Sequence, residues 1–331
     1  MAWIRKYAIW IIWGGSTVLI CGAVLIFALV GWPGHPDSCT KIDPDTHQQV
    51  VQMFPDTEYP DVAHSDTCYC EAFKVEDVVA GKPGIRQWTN TLSNLYAIVT
   101  SLILVILIQR DRKKRNFTNL FHYPTSWIPE LYVFATLFLG LGSMWLHASL
   151  DKYVSWMDGM SMYAFTCFLP LYTLRRRYSM KYWFYIIYAG AVGLFTGLNA
   201  LPHMEDSSTY LVLAIVLAYV VAEILVKRND LKKLGCERWF DRVRIGLCKG
   251  GWIRRALIFW TIGLGCFALA IVFRGLSQTG GPMCFKDSWF QPHGLMWHSL
   301  SGVMAMMLYF YWRTLRDDEI RWMPSTPDPQ V

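Results

Sequence analysis

The sequence predicts an all-α integral membrane protein, on three observations: eight apolar stretches near bilayer-spanning length, few charges, and basic residues gathered to one side of those stretches. Of its 331 residues 53% are hydrophobic and only 17% charged, too apolar a balance for an ordinary soluble domain of this length. A helix needs roughly 20 apolar residues to cross a hydrocarbon core about 30 Å thick. Stretches near that length run over residues 8–30, 91–108, 129–149, 153–174, 182–198, 210–226, 256–273 and 294–312. With the N-terminus inside, 24 of the 31 Lys and Arg residues fall on the cytoplasmic side and seven outside. Basic residues flanking spans are retained in the cytoplasm, so eight spans with both termini cytoplasmic is the expected topology. The net charge of +6 then reports topology and contact with anionic lipid rather than nucleic-acid binding. Nothing in the sequence identifies a protein partner.

Taken in order, residues 1–31 read as a membrane anchor. Arg5 and Lys6 precede an apolar run longer than the core of a signal peptide, and Val30-Gly31-Trp32-Pro33 is a poor cleavage site, so the anchor is expected to be retained. Residues 32–87 form the one long outer segment, a loop-rich cap with Pro, Asp, His and three cysteines. Residues 88–313 are the helical bundle and 314–331 a cytoplasmic tail. Within the bundle, 227–255 interleaves basic residues with Leu234, Trp239, Phe240, Val243 and Leu247, the pattern of either an amphipathic helix on the inner surface or a solvated linker. Cys39, Cys68, Cys70 and Cys284 lie outside, an even set that permits two disulfides in an oxidising compartment. Four cysteines allow three pairings; the expected bridge is Cys70–Cys284, which ties the cap to the loop before the last span.

Ionisable side chains inside a membrane are costly and face a cavity, a partner or a metal. His147, His293 and His298 sit in or at the edge of a span, and Asp158 is the one acid well inside one. His147 ends the third span on the outside, Asp158 lies near the outer start of the fourth, and His293 and His298 open the eighth. All four therefore share the outer leaflet. Three imidazoles with a position left for water is the donor set of a catalytic zinc site. Ser143 precedes His147 by four residues and shares its helical face, where its hydroxyl is placed to hydrogen-bond an attacking water or a reacting carbonyl oxygen. Asn90, Ser93 and Asn94, on or near one face of the second span, are expected to hydrogen-bond neighbouring helices rather than to act in catalysis.

These marks, from Cys70 to Trp312, resemble the alkaline ceramidase family, within the wider superfamily that includes the adiponectin-receptor-like proteins. The resemblance is carried by Cys70-Glu71, the run Asn90-Thr91-Leu92-Ser93-Asn94, Ser143-Met144-Trp145-Leu146-His147, Asp158, and Gln291-Pro292-His293-Gly294-Leu295-Met296-Trp297-His298. It implies a seven-helix zinc-hydrolase bundle, here with one extra N-terminal transmembrane helix. It also implies a Zn2+ cofactor on His147, His293 and His298, catalytic roles for Asp158 and Ser143, and a ceramide-like membrane lipid as substrate. The N-acyl bond would be cut to a fatty acid and a sphingoid base. A zinc esterase or phospholipase, and a non-catalytic lipid-binding receptor, are the alternatives.

Two departures from the family pattern stand out. Relatives separate the last two histidines by three residues, whereas four lie between His293 and His298. In a regular helix residues five apart are rotated by roughly 140°, so one ion is within reach of both only if a π-bulge forms near Gly294 or if His293 leaves the helix after Pro292. Failing both, His293 is no ligand and the protein is a sensor or a dead enzyme. The second departure is in a calcium site that some relatives build near the Cys-Glu pair. Cys68, Phe73 and Gln87 are poor hard-oxygen ligands, which argues against calcium; Glu71 and Asp66, with Glu76 and Asp77, are the acids left to hold one.

Overall fold

The computed structural model describes residues 2–33, 40–42, 49–51, 70–71, 77, 80–113, 121, 126–178, 180–201, 208–233, 251–278, 281–285 and 288–315. Each of the eight expected stretches is helical. The first is α1 (Ala2–Val30), and the second is divided into α2 (Trp88–Ser93) and α3 (Leu95–Lys113). Then follow α4 (Ile128–Ser149), α5 (Lys152–Arg177), α6 (Lys181–Asn199), α7 (Ser208–Lys233) and α8 (Gly251–Leu276). The last stretch is a π-helix, His293–His298, that continues into α9 (Ser299–Thr314). Between α1 and α2, β1 (Thr40–Ile42) pairs antiparallel with β2 (Gln49–Val51), Thr40 opposite Val51. The 227–255 stretch is helical to Lys233 and again from Gly251; residues 234–250, where its apolar residues lie, are outside the described set.

This is an all-α membrane protein. Among the described residues five helices are long and apolar enough to cross a bilayer: Tyr7–Val30, Trp88–Lys113, Ile128–Ser149, Ser208–Val226 and Arg255–Leu276. Large apolar side chains such as Val18, Leu19, Leu194, Leu217 and Ile224 are exposed on its flanks, an outer surface suited to lipid rather than water. The other three stretches fall short for visible reasons. Charges sit at both ends of α5, α6 is crowded with Tyr and Trp, and α9 has 16 residues.

Helix α4 forms the axis of the bundle. It packs against α1, α2, α3 and α5 and is buried along most of its length. It starts on Pro129 in its first turn and stops at Leu150, whose φ of 53° is left-handed and whose N–H returns to the Leu146 carbonyl. That conformation costs a non-glycine residue about 1–2 kcal/mol. It is stabilised here by burial of the Leu150 side chain and by Asp151, whose carboxylate accepts the Tyr153 N–H at 2.9 Å to cap α5. The resulting two-residue turn folds α5 back along α4.

At the end of the bundle opposite the histidines, buried carboxylates are paired with partly buried arginines. Glu223 accepts hydrogen bonds from Tyr311 and Thr173 at 2.6 Å each and from Arg176 at 3.2 Å, joining α7, α9 and α5. Asp111 receives both Arg313 Nε and Nη2, at 2.6 and 2.7 Å, and Arg112 reaches Glu130 at 2.7 Å. Phe121 stacks on Trp312, ring centroids 5.6 Å apart. Breaking a buried pair strands the remaining charge. Glu223→Ala is therefore expected to destabilise the detergent-solubilised protein by about 3–5 kcal/mol, and Tyr311→Phe by about 1 kcal/mol. Both are read as falls in the thermal midpoint.

Candidate metal centre

At the other end, α4 terminates with His147 in its last turn, and its unpaired carbonyls need partners. The chain just before α2 supplies them: Arg86 N–H bonds the Ala148 carbonyl at 3.1 Å and Gln87 N–H the His147 carbonyl at 3.0 Å. This pairing delivers the Gln87 side chain to the His147 ring. The first turn of α2 is capped from a distance by Glu71, whose two carboxylate oxygens accept Thr89 N–H at 2.6 Å and Asn90 N–H at 2.8 Å. Burial raises the Glu71 pKa above the usual carboxylate value, and those two amides pull against the rise. Cys70, next to Glu71, is bonded to Cys284 with Cα atoms 5.2 Å apart, so the Cys70–Cys284 bridge expected from the sequence is present.

His293 and His298 open and close the π-helix. Bonding from i to i+5 widens each turn, so residues five apart fall on one face. The mismatch noted in the sequence is resolved by the first of the two devices considered for it. Gly294 is indispensable to that device, because a Cβ there would lie 2.7 Å from Asn90 Oδ1 and 2.9 Å from Ser93 Oγ. Only a residue without a side chain lets the π-helix rest on α2.

The three rings are buried, with centroids 4.9, 5.2 and 5.7 Å apart, and one ligand atom from each lies within 4.8 Å of the others. His293 Nε2 and His147 Nε2 are 3.3 Å apart. Metal–nitrogen bonds of about 2.0–2.1 Å in a tetrahedron require an edge of about 3.3–3.4 Å, so this separation suits a shared ion. Tautomers follow from the outer partners. His147 Nδ1 donates to Gln87 Oε1 at 2.7 Å, the amide oxygen being identified by Gln87 Nε2 donating to the Glu71 carbonyl. His298 Nδ1 lies 2.7 Å from Ser93 Oγ, whose proton goes to the Asn90 carbonyl at 2.9 Å, so the ring donates and Ser93 accepts. Both rings thus turn an Nε2 lone pair inward, as metal-bound imidazoles do. The donor set fits a metal ion.

Ser143 Oγ stands 3.3 Å from His298 Nε2, on the inner side of the ring. Asp158 does not join the cluster of ligand atoms but lines the same cavity, together with Ser143, His293 and His298. Three lining residues were missed in the sequence. Tyr96 stacks on His298 at 5.9 Å, Trp297 stacks on His293 at 6.4 Å, and Arg274 lies over the Trp297 ring. Ser93, expected to bond a neighbouring helix, does so to a candidate ligand. Of the calcium candidates, Asp66 lies outside the described residues and both Glu71 oxygens serve α2. Among the described residues the three histidines form the one cluster of metal-holding groups.

A family model described as Ceramidase matches residues 63–324. The chain belongs to the ceramidase family. Membership makes it a hydrolase of amide bonds with a ceramide-like lipid as substrate class. The matched region of this ceramidase holds all three histidines, Ser143 and Asp158, and leaves α1 outside. No curated protein and no solved structure matches the chain. Since partners behind metal-binding imidazoles change affinity by about 10–100-fold, Gln87→Ala and Ser93→Ala are each expected to weaken metal binding by that factor. Competition with a chromophoric chelator measures it.

Proposed function

We propose that this ceramidase is an intramembrane zinc amidase that cuts the N-acyl bond of ceramide or a ceramide-like lipid. The observation that carries the reading is the set of three buried imidazoles, two with Nε2 atoms a tetrahedral edge apart, of which His293 and His298 line a cavity with Asp158 and Ser143. Three nitrogen donors with one position left for water favour zinc over the hard cations, which take oxygen ligands. A bound zinc ion supplies water acidified to neutral pH and a Lewis acid for the acyl carbonyl.

The protein's own groups do the rest. Asp158 orients the attacking water, takes its proton and returns it to the departing amine. Ser143 donates a hydrogen bond to the oxyanion that develops on the carbonyl. Gln87 and Ser93 hold His147 and His298 in the productive tautomer. Leu139, Phe165 and Phe267 line the cavity and suit an acyl chain.

In this reading α5, α6 and the π-helix with α9 cross the membrane as well, giving eight spans with both termini cytoplasmic. The basic last turns of α3, α5 and α9 support that orientation, because Arg110, Arg175 and Arg313 sit at helix ends away from the histidines. The metal centre then faces the extracytoplasmic or luminal side. Residues 1–31 act as an anchor and 32–87 as a cap over the 88–313 bundle.

His147→Ala, His293→Ala and His298→Ala are expected to lose both zinc and acyl release, whereas Asp158→Ala keeps its zinc and loses turnover by at least about 100-fold. Metal analysis of purified variants and a fatty-acid release assay on ceramide test this. Full activity in Asp158→Ala removes its assigned role. A zinc-free wild type that still hydrolyses removes the metal.

A further inference from the structure

Tyr96, in the first turn of α3, lines the cavity with His298, Ser143 and Asp158 but has no part in the chemistry described so far. Two residues of the last helical stretch hold its ring. It stacks on His298, with centroids 5.9 Å and planes 20° apart, and it fills a notch at Gly302, where a Cβ would lie 2.6 Å from Tyr96 Cδ2. Both contacts belong to the ring, and phenylalanine would make both. The hydroxyl is a surplus that packing does not explain. Among the described residues it has no hydrogen-bond partner, and a hydroxyl withdrawn from water without one costs free energy.

Its surroundings say what the hydroxyl meets. Asp158 acts electrostatically on the phenol, which places the oxygen on the Asp158 side of the cavity. In the amidase reading Asp158 returns a proton to the departing amine, so the nitrogen half of the substrate sits on that side. Ser143, 3.3 Å from His298 Nε2, marks the carbonyl half. A sphingoid base carries a primary and a secondary hydroxyl on the carbons flanking its nitrogen. Each is neutral, and each donates and accepts hydrogen bonds, as a phenol does. The other hydroxyls on the cavity wall are already engaged: Thr166 donates to the Met162 carbonyl and Ser301 to the Trp297 carbonyl, each at 2.7 Å within its own helical stretch. Much of the remaining lining, such as Leu139, Phe165, Val212 and Phe267, is apolar and offers a substrate hydroxyl nothing.

We propose that Tyr96 is a specificity-determining residue: its hydroxyl hydrogen-bonds one of the two hydroxyls that flank the nitrogen of a neutral N-acyl sphingoid base. The proposal deepens the amidase reading and rests on it for the place of Asp158. Tyr96 selects substrate because a lipid without that hydroxyl leaves the phenol unpaired in a site of low polarity, where a missing hydrogen bond costs more than it does in water. The ring, locked on His298 and against Gly302, presents the oxygen in one place and loses little freedom when the lipid binds.

The experiment compares three neutral lipids of one acyl chain in the full-length, zinc-loaded protein: an N-acyl sphingoid base and two analogues, each lacking one of its two hydroxyls. In the wild type, kcat/KM for the complete lipid is expected to exceed that for one analogue by about three- to tenfold, the net effect of one hydrogen bond between neutral groups. The analogue that suffers identifies the hydroxyl that is read. In Tyr96→Phe, which keeps the ring on His298, that ratio falls towards one. A wild type indifferent to both hydroxyls overturns the proposal. So does a Tyr96→Phe variant that keeps the wild-type ratio, including one slowed equally on all three lipids. Either result leaves the amidase reading standing. If the wild type hydrolyses none of the three, the amidase reading fails, and equilibrium binding of fluorescent forms of the same lipids decides the recognition separately. A preference for the complete lipid that is lost in Tyr96→Phe sustains it, and equal binding overturns it. Zinc content and the Cys70–Cys284 bridge, measured on the variant, certify that it is folded with its metal centre intact.

Discussion

Two histidines five residues apart must look at the same point, and the surrounding architecture is arranged to let them. A regular helix from His293 to His298 would turn the second ring well away from the first. The π-helix brings them together, and it rests on α2 at Gly294, where no side chain fits. π-turns of this sort are rare and gather at functional sites because they are tolerated only where neighbouring structure holds them. Here the support is α2, which also supplies Ser93 to His298, so one short helix both allows the irregular turn and orients one of its rings.

The short helix is itself held from three sides. Glu71 caps it, the Cys70–Cys284 bond fixes Glu71 to the chain that leads into the π-helix, and Gln87 at its start pairs with the end of α4. A closed circuit results, running from Cys70 and Glu71 through α2 to His147 and back through the π-helix. Each member satisfies a polar group that burial would otherwise leave exposed to cost: helix amides by Glu71, terminal carbonyls by residues 86–87, imidazole N–H groups by Gln87 and Ser93. At the opposite end Arg176, Arg313 and Arg112 do the same for the buried carboxylates of Glu223, Asp111 and Glu130, so both ends of an otherwise apolar bundle are closed by polar contacts.

Much of this was legible beforehand because the informative residues are exceptions to their surroundings. Histidines and an acid within apolar stretches stand out, and span boundaries place His147, His293 and His298 at one level; the structure gathers them and lines the same cavity with Asp158 and Ser143. The irregular turn was readable from spacing alone as one of two remedies. The division of the second stretch at Asn94 was not, since Asn90, Ser93 and Asn94 read equally well as a polar face of one continuous helix. Tyr96 and Arg274 escaped notice, and Gln87 was weighed only as a poor calcium ligand, for a different reason. Gln87 meets His147 across 60 positions of chain, and Ser93 meets His298 across 205, so their significance lies wholly in the partner. Arg274, just past the apolar run 256–273, registered only as one of seven outer basic residues.

The span of the Cys70–Cys284 cross-link sets an order of assembly. Its two sulfurs are 214 positions apart, and the chain emerges from its N-terminus. Oxidation must therefore wait until seven of the eight helical stretches have been synthesised, and the last two imidazoles arrive later still. The cluster of three histidines is thus completed at the end of biogenesis. Folding of the two ends of the sequence is coupled through a single covalent bond.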